Sequence, residues 1–339
     1  MTTQGTPFKL GTFARGGAAN FVGIVLSDPV LGDRVVELAA ADTARGQQSM
    51  APAHHNMMAL LEDWDRSFAA LQGIVENLHR ADLNDASIAG ATHTLAALNV
   101  RPPVPRPSKI LNAAANYNGH LAEMRAYTQT GGGVDPAKIY AGDKKTGHPY
   151  LFLKAPSSLA GAHDDVVLPE GEHQCDWEAE LAVVIGRRGR KIKAASALDH
   201  VAGFMTFNDV SCRTTLFRED RPNLRTDWLW SKSFDTFAPC GPFLVPRAFV
   251  PDHAALRIQL RVNGESRQDG LAGDMIFSPE EQIEFASAIM TLEPGDIFAT
   301  GTVAGVGQGA GIFLRAGDIV ETEVEGLGRQ KNKVVASTR

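Results

Sequence analysis

The run Leu181 to Ile185 is apolar without interruption, and two acids, Glu178 and Glu180, stand at its entrance in CDWEAELAVVIG. Successive side chains of a strand point to opposite faces, so a run that is apolar on both faces belongs in the interior of a sheet, covered on each side. Residues at i and i+2 project from one face about 7 Å apart, and both carboxylates therefore aim at one point. Like charges held together repel and are poorly hydrated unless a cation joins them, which points to a bound divalent metal. An isolated E-x-E is more often a solvated strand end, because acidic residues are mostly exposed. A third acid downstream tips the balance toward the metal.

That acid lies in GFMTFNDVSCR, where Gly203 to Phe207 reads as a short buried strand ending on Asn208 and Asp209. Glu178, Glu180 and Asp209 form an all-oxygen set, suited to Mg²⁺, Mn²⁺ or Ca²⁺ rather than to zinc, which prefers Cys and His. Mg²⁺ or Mn²⁺ is the expected cofactor, with Ca²⁺ a further candidate in crystals. Three side chains do not fill a six-coordinate shell, and the open positions take water or substrate, as a catalytic metal requires.

Seven ordered motifs extend this picture: NYNGHLAEM (Asn116 to Met124), YLFLKAPSSLAG (Tyr150 to Gly161), DWEAELAVVIG (Asp176 to Gly186), NDVSCR (Asn208 to Arg213), KSFDTFAPCGP (Lys232 to Pro242), VNGESRQDG (Val262 to Gly270) and LEPGDIFATGTVAGVG (Leu292 to Gly307). From about Lys109 to Gly326 the chain resembles the fumarylacetoacetate hydrolase family, in particular its bacterial acylpyruvate hydrolase-like members. The resemblance places the family's metal ligands on Glu178, Glu180 and Asp209, the trio already reached from spacing. It implies a β-rich α+β fold: a catalytic domain built as a mixed β-sandwich roll, preceded by a small N-terminal α+β domain.

With Asn118 as cap of a short helix through HLAEMRAY, His120 and Glu123 lie three apart on one face, close enough for the carboxylate to orient the imidazole. A histidine held this way can take a proton from water near neutral pH. The resemblance places the family's lid dyad there. It also implies that Lys154 and Lys232 balance substrate carboxylate and developing oxyanion charge, and that Thr302 hydrogen-bonds the substrate carboxylate. Arg213 is a substrate-binding candidate of lower rank, equally suited to pairing with neighbouring acids. Thr130 to His148, Gly-rich and short of apolar anchors, reads as an insertion after the lid helix. The chain departs from the pattern of fumarylacetoacetases proper at Leu216 and Asp220, where those enzymes carry a glutamine and a tyrosine that contact substrate; Thr214 to Trp230 is therefore the expected specificity segment.

The four prolines of RPPVPRPS favour a stiff, extended connection, and the boundary is expected there, giving residues 1–105 and 106–339. VGIVL and RVVELAA predict a small sheet ahead of it, NMMALLEDW and SFAALQGIVENLHRA helices. Downstream, ALRIQLRV before Asn263-Gly264 predicts a two-residue hairpin, and Ser278, Pro279 and Glu281 predict a capped helix. A net charge of -6 across 339 residues argues against a nucleic-acid partner. No apolar run approaches the roughly 20 residues of a membrane span, and the N-terminus lacks signal-peptide character, so a cytoplasmic protein with no membrane partner is expected. Three cysteines without a C-x-x-C, Cys175, Cys212 and Cys240, read as buried structural thiols.

The expected activity is metal-dependent hydrolysis of a carbon–carbon bond in a 2,4-dioxo acid, giving pyruvate and a carboxylic acid, with His120 activating water. The alternative is hydration, isomerisation or decarboxylation of a 2-oxo acid through an enolate. Non-catalytic binding of small oxo acids is a third reading. A homodimer is expected from the family.

Overall fold

The computed structural model describes residues 5–28, 32–44, 48–80, 87–129, 147–221 and 223–337. All but the last two residues of the insertion expected at Thr130 to His148 lie outside that set. Near the N-terminus a five-stranded antiparallel sheet runs in the spatial order Thr92–Thr94, Gly32–Glu37, Phe21–Asp28, Lys9–Ala14, Asn99–Arg101. The helix Trp64–Arg80 buries Trp64, Leu71, Ile74, Val75 and Leu78, which recur at helical spacing along one stripe. These side chains join one apolar cluster with Leu10 and Ile24 and with Ile110, Ala182, Val184 and Ile297 of the next sheet.

That next sheet carries the site. Its six strands lie in the order Val245–Pro246, Val201–Asn208, Ala179–Ile185, Ile297–Thr302, Ile110–Ala114, Tyr150–Lys154, antiparallel except between Ile297–Thr302 and Ile110–Ala114. Every residue of Ala179–Ile185 is buried and the strand has a neighbour on each edge, as its unbroken apolar run requires. A second five-stranded sheet runs Glu265–Leu271, Arg257–Val262, Ile319–Val324, Gly328–Ala336, Val166–Leu168. Arg257–Val262 alternates as expected, burying Ile258, Leu260 and Val262, and turns through Asn263 (φ 54°) and Gly264 (φ 82°), the paired positive φ values of a primed hairpin turn. Ser278 and Glu281 close a capping box at the start of the helix Pro279–Ile289. The architecture is the sheet-rich α+β arrangement expected. No helix among the described residues is long and apolar enough to cross a membrane.

Two register features place the acids. Ala179 pairs with Asn208 and Glu180 with Phe207, so Asp209, one residue beyond the last pair, lands beside Glu178. On the other edge the register shifts between Glu180 and Ala182. The extra residue is accommodated near Gly301 (φ 100°), where a Cβ would stand 2.8 Å from the Cβ of Asn116. A bulge of this kind redirects the local backbone, and here it turns the Gly301 N–H onto Glu180 Oε2 at 2.8 Å.

Candidate metal centre

Glu178, Glu180 and Asp209 are all buried and offer ligand oxygens within 4.8 Å of one another. The main chain around them is tied down. Asp209 N–H donates to the Glu178 carbonyl at 2.9 Å, and Glu178 N–H donates to Asn208 Oδ1 at 2.9 Å. Ala179 N–H donates to Gln268 Oε1 at 2.8 Å, while Thr302 Oγ1 donates to the Ala179 carbonyl at 2.9 Å.

The cations are shared unevenly. Lys232 Nζ bridges Glu178 Oε2 and Asp209 Oδ2, each at 2.8 Å. Lys154 Nζ donates to Asp209 Oδ1 at 2.5 Å and to the Val210 carbonyl at 2.9 Å. Arg213 donates to Asp176 Oδ2 at 2.9 Å through Nε and to Glu178 Oε1 at 2.6 Å through Nη2. Burial pushes the Glu178 carboxyl up, but Lys232, Arg213 and His120 outweigh it and hold the group at about 2. Glu180 has no ion pair among the described residues. Burial, then the charges of Asp209 and Glu178, push its carboxyl well above the ordinary range. A buried carboxylate with this surplus of negative charge, set among hard oxygen donors, fits a divalent cation of the Mg²⁺ or Mn²⁺ type.

His120 approaches from the helix Asn118–Gln129, whose Asn118 is its first residue rather than its cap: Leu121 N–H donates to the Tyr117 carbonyl at 3.0 Å. His120 Nδ1 lies 3.4 Å from Glu123 Oε2. Glu123 is held in turn by Gly305 N–H, at 3.2 and 3.1 Å from its two oxygens. Gly305 has φ 104°, and a Cβ there would fall 1.9 Å from the Arg267 carbonyl oxygen. Gly305→Ala is therefore expected to cost about 2 kcal/mol or more of stability in urea unfolding, through strain and displacement of this loop.

The family described as fumarylacetoacetate (FAA) hydrolase C-terminal matches residues 109–335. The chain belongs to the fumarylacetoacetate hydrolase family. A human mitochondrial oxaloacetate tautomerase, FAHD2A, is 40% identical over 262 residues, 74% of this chain and 77% of that protein. The oxaloacetate tautomerase YisK of Bacillus subtilis (strain 168) is 34% identical over 329 residues, covering 95% and 99% of the two chains. A maleylpyruvate hydrolase from Sphingobium sp. SYK-6, solved with manganese(II) and pyruvate, superposes with a TM-score of 0.70 at 28% identity, covering 97% of this chain and 100% of that one.

Glu178, Glu180, Asp209, Lys154 and Lys232 form one buried cluster, and His120 lies near enough for its charge to act on Glu178, while the Thr302 hydroxyl is tied to the main chain and to Gln268. Arg213 joins that cluster through Glu178 and is also bound to Asp176. The Thr302 hydroxyl, besides donating to Ala179, accepts from Gln268 Nε2 at 2.8 Å. Of the family departures, Leu216 is buried, whereas Asp220 is exposed and paired with Arg218 Nε at 2.7 Å. Arg218 also bonds Asp227 Oδ2 at 2.8 Å and lies over the Trp230 ring, so one guanidinium organises the expected specificity segment.

Three contributors escaped the sequence reading. Gln268 is fully buried and clamps Ala179 to Thr302 and Val303. Asp176 accepts from Gly307 N–H at 2.6 Å and Gln308 N–H at 3.0 Å, joining Arg213 to the glycine-rich turn beside the dyad. Asn112 is fully buried, and neither side-chain polar atom has a hydrogen-bond partner among the described residues. Its register opposite Phe152, with Ile110 opposite Lys154, puts it on the sheet face that carries Lys154. A polar residue inside the apolar run ILNAA was the available signal for Asn112; an acid beside W-E-A-E was the signal for Asp176.

Proposed function

We propose that this member of the family transfers a proton at C3 of a small 2-oxo acid, interconverting keto and enol forms, with oxaloacetate as the reference substrate. The observation that carries the reading is the buried Glu178, Glu180 and Asp209 set with an oriented histidine at its edge. The two tautomerases similar to this chain over most of its length support it. A divalent cation held by those three acids would polarise the 2-oxo group and acidify the neighbouring C–H bonds. His120, in the tautomer whose Nδ1–H faces Glu123, presents Nε2 as the base that removes the C3 proton and returns it to oxygen. Lys154 and Lys232 offset the negative charge around the site and fix Glu178 and Asp209. Arg213 orients Glu178. Residues 106–339 form the catalytic unit in this reading and residues 1–105 a structural one. A homodimer would cover the exposed Tyr150 and Leu153 of the edge strand and Leu229 and Trp230 of the helix Trp228–Lys232.

A second reading, hydrolytic cleavage of a 2,4-dioxo acid, is favoured by the likeness to the maleylpyruvate hydrolase, with His120 Nε2 activating water instead. Proton NMR with Mg²⁺ or Mn²⁺ and a panel of oxaloacetate and acylpyruvates separates the two. Faster keto–enol exchange with no new acids supports tautomerisation. Two carboxylic acids from one substrate support hydrolysis, and release of pyruvate and carbon dioxide from oxaloacetate supports decarboxylation. His120→Asn is expected to lower turnover by about 10²- to 10⁴-fold with metal affinity unchanged. Full activity in that variant would remove the base from the scheme.

A further inference from the structure

Cys175 and Cys212 are both free and buried, and they face each other as Cα partners in the short antiparallel ladder of Cys175–Asp176 with Ser211–Cys212. The surrounding hydrogen bonds give the type of pair. Arg213 N–H donates to the Gln174 carbonyl at 2.8 Å, whereas the Cys175 carbonyl accepts from Leu314 N–H at 2.8 Å, on the side away from Cys212. Gln174 and Arg213 thus form the hydrogen-bonded pair, and Cys175 and Cys212 the non-hydrogen-bonded one, in which Cα atoms stand about 4.5 Å apart and side chains approach most closely. A disulfide bridges Cα separations of about 4.4–6.8 Å.

We infer that Cys175 and Cys212 close a reversible disulfide when the chain meets a peroxide, latching together the two segments that brace Glu178. Asp176 follows one cysteine and Arg213 the other, and these two residues are ion-paired. The inference does not depend on which reaction the site performs.

Access and order of events follow from the surroundings. Cys212 Sγ lies 3.3 Å from Glu172 Oε2 and 3.0 Å from Thr214 Oγ1. Thr214 is exposed and Glu172 half-buried, so the polar neighbours of the sulfur reach solvent. The neighbouring Cys175 thiol lowers Cys212 to about 7, whereas Cys212 and burial raise Cys175, which makes Cys212 the attacking thiolate. It attacks one peroxide oxygen; the O–O bond breaks, hydroxide leaves and a sulfenic acid remains. The Cys175 sulfur then displaces that hydroxyl as water, its own proton going to the leaving oxygen. Two thiols are oxidised by two electrons, and the peroxide is reduced to water.

The test uses the reduced full chain, treated with hydrogen peroxide and then denatured for thiol titration and peptide mapping. Three free thiols are expected to fall to one, Cys240, with the peptides of Cys175 and Cys212 covalently joined and dithiothreitol restoring all three. The melting temperature should rise by roughly 5 °C on oxidation. In Cys175→Ser, Cys212 should stop at a sulfenic acid that reacts with dimedone. Should that variant not fold, the wild-type peptide map decides alone. Three thiols surviving treatment, Cys212 driven to sulfinic acid with Cys175 still free, or a bond involving Cys240 would overturn the inference.

Discussion

Glu180→Gln is expected to lower Mn²⁺ affinity by more than about 100-fold while leaving the fold at least as stable, and turnover should fall with metal occupancy. Glutamine keeps the shape of the side chain and an oxygen to accept the Gly301 N–H, which donates at 2.8 Å. What it removes is the one carboxylate of the trio with no cation partner, a group whose charge is opposed first by burial and then by Asp209 and Glu178. In the metal-free protein that charge is a liability, and removing it should be neutral or stabilising. Manganese titration followed by electron paramagnetic resonance, run beside urea unfolding, reads both effects. Tight Mn²⁺ binding retained in the variant would show that Glu180 is not a ligand.

The same chemical change at Asp209 should act in the opposite direction on stability. Asp209→Asn leaves Lys154, 1% exposed, and Lys232, 2% exposed, without the carboxylate they share. Burial lowers Lys154 to about 8, and the charge of Asp209 is the leading influence opposing that shift. Removing one partner from a buried ion pair costs about 3–5 kcal/mol, because the remaining charge stays desolvated. The urea midpoint should drop accordingly, and metal affinity should fall as well. An unchanged midpoint would mean that the lysines find other partners or give up their protons at little cost.

The contrast between these two acids marks what could be read from the sequence. Period-two geometry put Glu178 and Glu180 on one side of a buried strand, and a carboxylate at the end of another apolar run supplied Asp209. Which of them carries a cation is decided by strand register and by the bulge at Gly301, and neither is written in local periodicity. Lys154 and Lys232 were legible as charges ending apolar stretches, but their grip on Glu178 and Asp209 depends on which elements the fold brings side by side. Gln268 looks like any polar residue of an alternating strand; its role arises from contact with Ala179, far away in the chain. The hairpin at Asn263-Gly264 and the capping box at Ser278 were readable because backbone conformation and capping are local properties. Cys175 and Cys212 read as separate structural thiols until the ladder set them face to face.

Anomalous diffraction from crystals of the full chain soaked in Mn²⁺ tests the central claim most directly. One strong peak per chain within ligating distance of Glu178, Glu180 and Asp209, lost in Glu180→Gln, is the predicted result. A peak elsewhere, or a protein stripped of metal by chelator that still turns over its substrate at full rate, would contradict it.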